Sequence, residues 1–162
     1  MKKIDLKTNQ TKIIKLDQPG EYQINLLASG AKVKVIGNFL VEKKDQLLVN
    51  ITIRHLAPHT QSITLLKAVG MDQSFTKLVG RIIIAADCFG SIASLTEKTL
   101  LVSEKARAET VPELEIKNHD VQCSHAASIT HINQTELFYL MSRGLSRVEA
   151  EKMIIAGFLS DL

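Results

Sequence analysis

The sequence predicts a mainly β chain, a solenoid of short strands followed by a C-terminal α-helical hairpin, and three observations carry that prediction. Between residues 11 and 130 the apolar residues fall in short, β-branched runs, among them Ile24-Asn25-Leu26-Leu27, Val33-Lys34-Val35-Ile36, residues 47–53, Ile63-Thr64-Leu65-Leu66 and Ile82-Ile83-Ile84. Glycines at 20, 30, 37, 70, 80 and 90 punctuate these runs, with turns recurring at about the 8 to 12 residue spacing of all-β architectures. Near residue 133 the apolar period changes to that of a helix. A sandwich, a barrel and a solenoid all accommodate the strands. The scarcity of Asn-Gly and Asp-Gly pairs favours the solenoid, because sandwiches and barrels depend on hairpins while a solenoid turns its corners without them.

Taken in order, the strands alternate. Val33, Val35, Ile51, Ile53, Ile82, Ile84, Leu114 and Ile116 are expected to face inward, and Glu109, Glu113 and Glu115 to face solvent between apolar neighbours. Asn133-Gln134-Thr135-Glu136 places a capping side chain ahead of an acid. The helix after it runs to a C-terminal glycine, Gly144. Ser146-Arg147-Val148-Glu149 is a full capping box, and a second helix is expected from Ala150 to Leu159. The expected division is a β core over 1–130 and a helical segment over 131–162. Both helices are more apolar than one buried stripe requires. Either the pair is sunk into the core or one face is kept for a partner. Leu137, Phe138, Tyr139, Met141 and Arg143 on the first helix, with Met153, Ile154 and Phe158 on the second, are the candidates for that face.

Composition bounds the function. The chain has 162 residues, 20 basic and 17 acidic, with a formal charge of +3. Residues 1–50 carry 9 basic and 5 acidic residues, so the basic excess belongs to the first third. A nucleic-acid partner is not expected, because that excess forms no dense basic face and aromatics make up only 4%. Neither a signal peptide nor a membrane span is legible: Met1-Lys2-Lys3 leads into no apolar run, and Ile82 to Ala86 is bounded by Arg81 and Asp87. Two distant cysteines, Cys88 and Cys123, suit free thiols in a reducing cytoplasm.

The chemistry-bearing residues gather near residue 123. An extended backbone puts Cys123 and His125 on one face, offering a thiol and an imidazole to zinc, iron or an iron-sulfur unit. One strand supplies two ligands where a tetrahedral site needs four, so His119, His131 or another subunit would have to complete it. The alternative makes Cys123 a small buried hydrophobe and His125 an ordinary polar neighbour. His55-Leu56-Ala57-Pro58-His59 has metal-like spacing, but Pro58 forbids the helix that would align the rings. Phosphate-binding loops, dinucleotide fingerprints and hydrolase elbows are absent from the sequence. Cys-His nucleophilic catalysis would need a third orienting group and a depressed thiol pKa that no sequence feature supplies.

Residues 100–116, Leu100-Leu101-Val102-Ser103-Glu104-Lys105-Ala106-Arg107-Ala108-Glu109-Thr110-Val111-Pro112-Glu113-Leu114-Glu115-Ile116, followed by Asp120-Val121-Gln122-Cys123-Ser124-His125-Ala126-Ala127, resemble the core of the SufB/SufD family of iron-sulfur cluster assembly proteins. The resemblance continues through Leu137-Phe138-Tyr139-Leu140, Ser142-Arg143-Gly144-Leu145, Glu149-Ala150 and Gly157-Phe158-Leu159, with a fainter echo in His55, Pro58-His59, Ser62 and Gly80-Arg81-Ile82. It implies a right-handed parallel β-helix, association of two such β-helices, and C-terminal helices that dock a SufC-like ABC ATPase. It also implies a transient iron-sulfur cluster at the junction of SufB-like and SufD-like subunits, with His125 as the SufD-side histidine. Ala106 stands where SufB-like members place a cysteine, and Cys123-Ser124-His125-Ala126 replaces their Glu-His-Glu. The chain therefore looks SufD-like, in a short form without the usual N-terminal helical region. Ala126 departs from the glycine expected after the histidine, and no residue assigns a flavin site.

Two function classes follow. In the first, a non-enzymatic scaffold presents His125, with Cys123, to a SufB-like or second SufD-like subunit, most simply as a dimer. In the second, a self-contained metal-binding protein or metalloenzyme closes its own site from His119, Cys123, His125 and His131, and only this class requires those four side chains to converge within one chain.

Overall fold

The computed structural model describes residues 1–160, with ten strands and two helices. The strands are β1 (Lys2–Leu6), β2 (Thr11–Leu16), β3 (Gly20–Leu26), β4 (Lys32–Val41), β5 (Gln46–His55), β6 (Gln61–Gly70), β7 (Phe75–Ile84), β8 (Ser91–Leu101), β9 (Arg107–Ile116) and β10 (Val121–His131). Each pairs in parallel with the strand two along the chain. The odd strands form one sheet in the order β1-β3-β5-β7-β9 and the even strands a second in the order β10-β8-β6-β4-β2. The result is the expected parallel solenoid, in which each layer gives one strand to each wall. Consecutive strands lie on opposite walls among the described residues, which is why hairpin turns are scarce in the sequence.

The corners are stacked as the walls are. At one of them Lys43 and Asp72 both take left-handed backbone, φ +58 and +54. The Lys43 N–H donates to Asp72 Oδ2 at 2.8 Å, and the Asp72 N–H donates to Ser103 Oγ at 2.8 Å. Polar side chains of successive layers thus satisfy turn amides that the ladders leave free.

Inward residues fill the lumen in two apolar groups. The larger runs from Leu6 to Leu78 through Val33, Val35, Val49, Ile51 and Ile53; the smaller holds Ile82, Ile84, Cys88, Ala93 and Leu95. Six of the eight residues expected to face inward are buried. The other two need correction: Leu114 is half-buried and Ile116 is 42% exposed. They keep the inward register, Leu114 beside Ile82 and Ile116 beside Ile84. No further layer among the described residues covers them, so alternation put them in the right row but did not bury them.

Two helices complete the fold, α1 (Gln134–Ser142) and α2 (Arg147–Leu159). Asn133 Oδ1 accepts the Thr135 N–H at 2.9 Å, and Ser146 with Glu149 closes a reciprocal capping box. Gly144, at φ +96, ends the first helix in the conformation that glycine alone adopts cheaply. The second helix starts at Arg147, a turn earlier than its apolar run. Its C-terminal end is tied to the outside of the even-strand wall: Asn38 Nδ2 donates to the Leu159 carbonyl at 3.1 Å and Lys67 Nζ to the Ser160 carbonyl at 2.6 Å. A buried ammonium at a helix C-terminus satisfies a free carbonyl and opposes the negative end of the helix dipole. Among the described residues no helix is long and apolar enough to cross a membrane.

Candidate functional site

The last layer is where the solenoid stops being closed. β10 pairs with β8 along one side, with Cys123 beside Ala93, His125 beside Leu95, Ala127 beside Glu97, Ile129 beside Thr99 and His131 beside Leu101. Those β8 positions are all buried, so Cys123, His125, Ala127, Ile129 and His131 occupy the row that would be lumenal if another layer followed. His125 is instead exposed and Cys123 half-buried. The shared face expected for Cys123 and His125 is therefore present, about 7 Å apart along the strand at the usual rise, and it opens to solvent. Burial pushes the Cys123 thiol pKa up. The sulfur is thus a protonated thiol at neutral pH, and a metal binding there must displace that proton.

The four-residue site does not assemble. His119 lies in the corner before β10, and His131 closes the strand eight residues beyond Cys123, about 26 Å away at the usual rise. Among the described residues no group of three or more His, Cys, Asp or Glu side chains could hold a metal ion. Cys123 and His125, on an open row, are half the number of side chains a tetrahedral site would need.

His55 and His59, the spaced pair excluded as a zincin, have separate fates. His55 is fully buried, with Nδ1 2.7 Å from Thr60 Oγ1 and Nε2 2.8 Å from Ser62 Oγ. The Thr60 hydroxyl proton is directed to the Ala57 carbonyl at 3.1 Å, so Nδ1–H is the donor toward Thr60 and Nε2 accepts from Ser62. Both nitrogens are satisfied in the neutral ring, and burial lowers the His55 pKa to about 4. His59 holds an edge-on contact with Phe89 at 5.0 Å. The two rings therefore do not share a site: His55 is committed to its hydroxyl partners and His59 to its contact with Phe89.

The four edge strands of the two walls differ in chemistry. β1 carries Lys2, Lys3 and Asp5, and β2 carries Lys12 and Lys15. β9 carries Arg107, Glu109, Pro112, Glu113 and Glu115. Its Glu109 pairs with Lys77 at 2.8 Å, Glu113 with Arg81, and Glu115 with Lys117 at 2.9 Å, which confirms the outward direction expected of these acids. β10, eleven residues long, has no charged residue and no proline. Charges and prolines are the devices by which edge strands avoid pairing with other chains. Only β10 goes without them.

The helices add a second surface. Leu137, expected on a partner face, needs correction: it is 2% exposed and packs inward from the first turn of α1, as Ala150 does from α2, while Phe138 is 72% exposed and Tyr139, Met141 and Met153 are also exposed. Arg143 lies over the Tyr139 ring at 5.2 Å and donates to its hydroxyl at 3.1 Å. A cavity of about 750 Å³ opens between the helices and the end of the even-strand wall, lined by Leu100, Thr130 and His131 from the strands and by Tyr139, Met153, Ile154 and Phe158 from the helices. The apolar tail is thus sunk into the body only in part: Leu137 and Ala150 are buried, Leu140, Ile154, Ile155, Phe158 and Leu159 are half-buried, and Phe138, Tyr139, Met141 and Met153 are exposed.

Fold and site define a parallel β-solenoid with an uncovered last layer and a helical pair fastened to its flank. Residues 9–158 match the family described as SUF system FeS cluster assembly, SufBD core domain. The chain belongs to that family, whose business is iron-sulfur cluster assembly. It is 35% identical over 108 residues to an iron-sulfur cluster assembly SufBD family protein of Mycobacterium bovis, covering 67% of this chain and 13% of the relative. It is 29% identical over 134 residues to the iron-sulfur cluster assembly protein SufB of Bacillus subtilis, covering 83% of this chain and 29% of the relative. The chain thus spans less than a third of the length of these relatives.

Proposed function

We propose that this chain is a non-enzymatic scaffold subunit of a SUF-type assembly complex. In this reading β10 joins the solenoid to a SufB-like or second SufD-like subunit. The faces of α1 and α2, with Phe138, Tyr139, Met141, Arg143 and Met153 exposed and Ile154 and Phe158 half-buried at the cavity, dock a SufC-like ABC ATPase. Residues 1–130 are the scaffold and 131–162 the docking segment. The nascent cluster is cargo, held at the junction by His125, with Cys123, and by ligands of the facing subunit. The SufD-like side of the junction is favoured by Ala106 and by Cys123-Ser124-His125, the two places where the sequence lacks SufB-type ligands.

One observation carries the reading. The sole edge strand free of charge and proline is the strand that bears His125 on its open row. An edge built to pair and a pair of ligands too few to close a site occupy the same eleven residues, so completing the ladder and completing the coordination are one event. A two-fold pairing of β10 with β10 would bring the ligands of two chains together.

The test is anaerobic co-expression with SufB-like and SufC-like subunits from one cell, with Ala126→Lys as the probe of the edge. Co-purification that Ala126→Lys abolishes, with the variant still folded, is the expected result. A monomer at high micromolar concentration that also ignores both subunits would remove the proposal.

A further inference from the structure

Glu97, in the middle of β8, takes no part in the junction. It is fully excluded from solvent, and neither of its carboxyl oxygens has a partner. Its wall is uncharged on every side. β6 sets Leu66 beside it and β10 sets Ala127. Across the lumen stands Gly80 of β7, where a Cβ would lie 2.8 Å from Glu97 Oε1. The carboxyl occupies the space that a side chain at 80 would take. Beyond Gly80 the odd-strand wall continues as Ile51 on β5 and Pro112 on β9. The nearest titratable group in the same inward orientation is His125, two places from Ala127. Lys98 and its neighbour Lys67 point out of the wall, Lys67 to the Ser160 carbonyl.

The surroundings are polar in a way that sequence economy does not require. Two buried hydroxyls near the carboxyl have no partner: Thr99, two places along β8 from Glu97, and Thr64 of β6, two places from Leu66, the neighbour of Glu97. Valine has the shape of threonine without the cost, and an unmet buried hydroxyl costs on the order of 1–3 kcal/mol. This level also separates the two apolar groups of the lumen, the first ending at Leu78 and the second beginning at Ile82. Buried polar groups that find no protein partner are met by ordered water, and apolar cavities stay dry. An isolated carboxyl in such a place keeps its proton. Consistent with that, burial raises the Glu97 pKa to about 7.

We propose that the lumen at the level of Glu97 is an internal water- and proton-binding site, in which a neutral Glu97 carboxyl and the hydroxyls of Thr64 and Thr99 hold ordered water molecules. Glu97 donates one hydrogen bond and accepts others, each threonine donates and accepts, and water bridges groups that cannot reach one another.

Two measurements on the full chain test this. Infrared difference spectra between pH 5 and pH 9 are expected to show a protonated-carboxyl band that disappears as pH passes about 7 and is missing from Glu97→Gln. Oxygen-17 relaxation dispersion is expected to show long-lived internal water that the double variant Thr64→Val, Thr99→Val loses in whole or in part while keeping the carboxyl band. That variant keeps the test alive should Glu97→Gln fail to fold. A carboxyl that titrates in the ordinary range, or a lumen with no long-lived water, would overturn the proposal. So would a stability gain on adding sodium, potassium or magnesium that Glu97→Gln abolishes, which would make the occupant a cation.

Discussion

The middle layers and the last layer of this solenoid are written in the same alternating code and end in opposite states. In β5 and β7 the inward residues Ile51, Ile53, Leu78 and Ile82 are sealed, because layers on both sides cover them. In β9 and β10 the inward residues Ile116, His125 and Ile129 are open, because one side is uncovered. Burial in a solenoid is therefore a property of neighbouring layers as much as of the residue itself. Side chains placed in the inward row of the last layer stay exposed without any special pocket to open them.

The largest effect that can break this comparison is in the sealed layers. Leu78→Ala is expected to cost about 2–5 kcal/mol, the range for a fully buried leucine, while Ile116→Ala costs well under about 1 kcal/mol. Chemical denaturation of the two variants would show it, and equal costs would mean that the last layer is as closed as the middle. Gly80→Ala comes next. Its Cβ would meet Leu95 Cδ2 at 2.6 Å as well as the Glu97 carboxyl, an overpacking cost of about 1–3 kcal/mol.

The pH dependence of stability sharpens the contrast between two buried titratable groups in the sealed layers. His55 has its pKa lowered to about 4, so the unfolded chain binds the extra proton below about pH 6.5 and the neutral ring's contribution is lost as pH falls toward 4. Glu97 has its pKa raised to about 7, so its contribution is complete below about pH 4.5 and is lost as pH rises through 7. Between about pH 4.5 and 6.5 the two slopes oppose each other and the wild-type stability is flat. Glu97→Gln removes one slope, and its stability is expected to climb with pH over that window in urea titrations. The smallest effect belongs to the open row. His125→Ala should change stability by no more than about 0.5 kcal/mol while cluster assembly in the reconstituted complex falls. A large stability loss with normal assembly would take His125 out of the junction.

Much of this was legible in the sequence. Alternation at Val33-x-Val35 and Ile51-x-Ile53 gives the walls, and the side chains of Asn133, Ser146 and Glu149 mark both helix starts because capping is local chemistry. What escaped depends on register between strands some thirty residues apart. Glu97 stands in Leu95-Thr96-Glu97-Lys98-Thr99, a stretch whose charge suggests a surface. Only the run Leu95, Glu97, Thr99, Leu101 at every second place hints that it faces in. Pro58 excludes a helical zincin-type site at His55 from the sequence, but the hydroxyl neighbours of His55 come from Thr60, Ser62 and, through Thr60 Oγ1, Ser91 on another layer at 2.9 Å. No local pattern predicts that network.

The pairing of each strand with the one two along the chain also sets an order in time. Every ladder joins segments separated by roughly one layer of sequence, so no early strand waits for a distant one, and folding can advance layer upon layer as a zipper does. During synthesis the layers carrying β3 to β6 can close while β9 and β10 are still being made. The same ladder unwinds from its open end, which places β10 amides among the first strand amides to exchange with solvent. β10 is thus the last of the ten strands to be made and among the first to fray. Under the proposed pairing, a partner bound to β10 would arrest that fraying, and hydrogen exchange along β10 would gauge assembly.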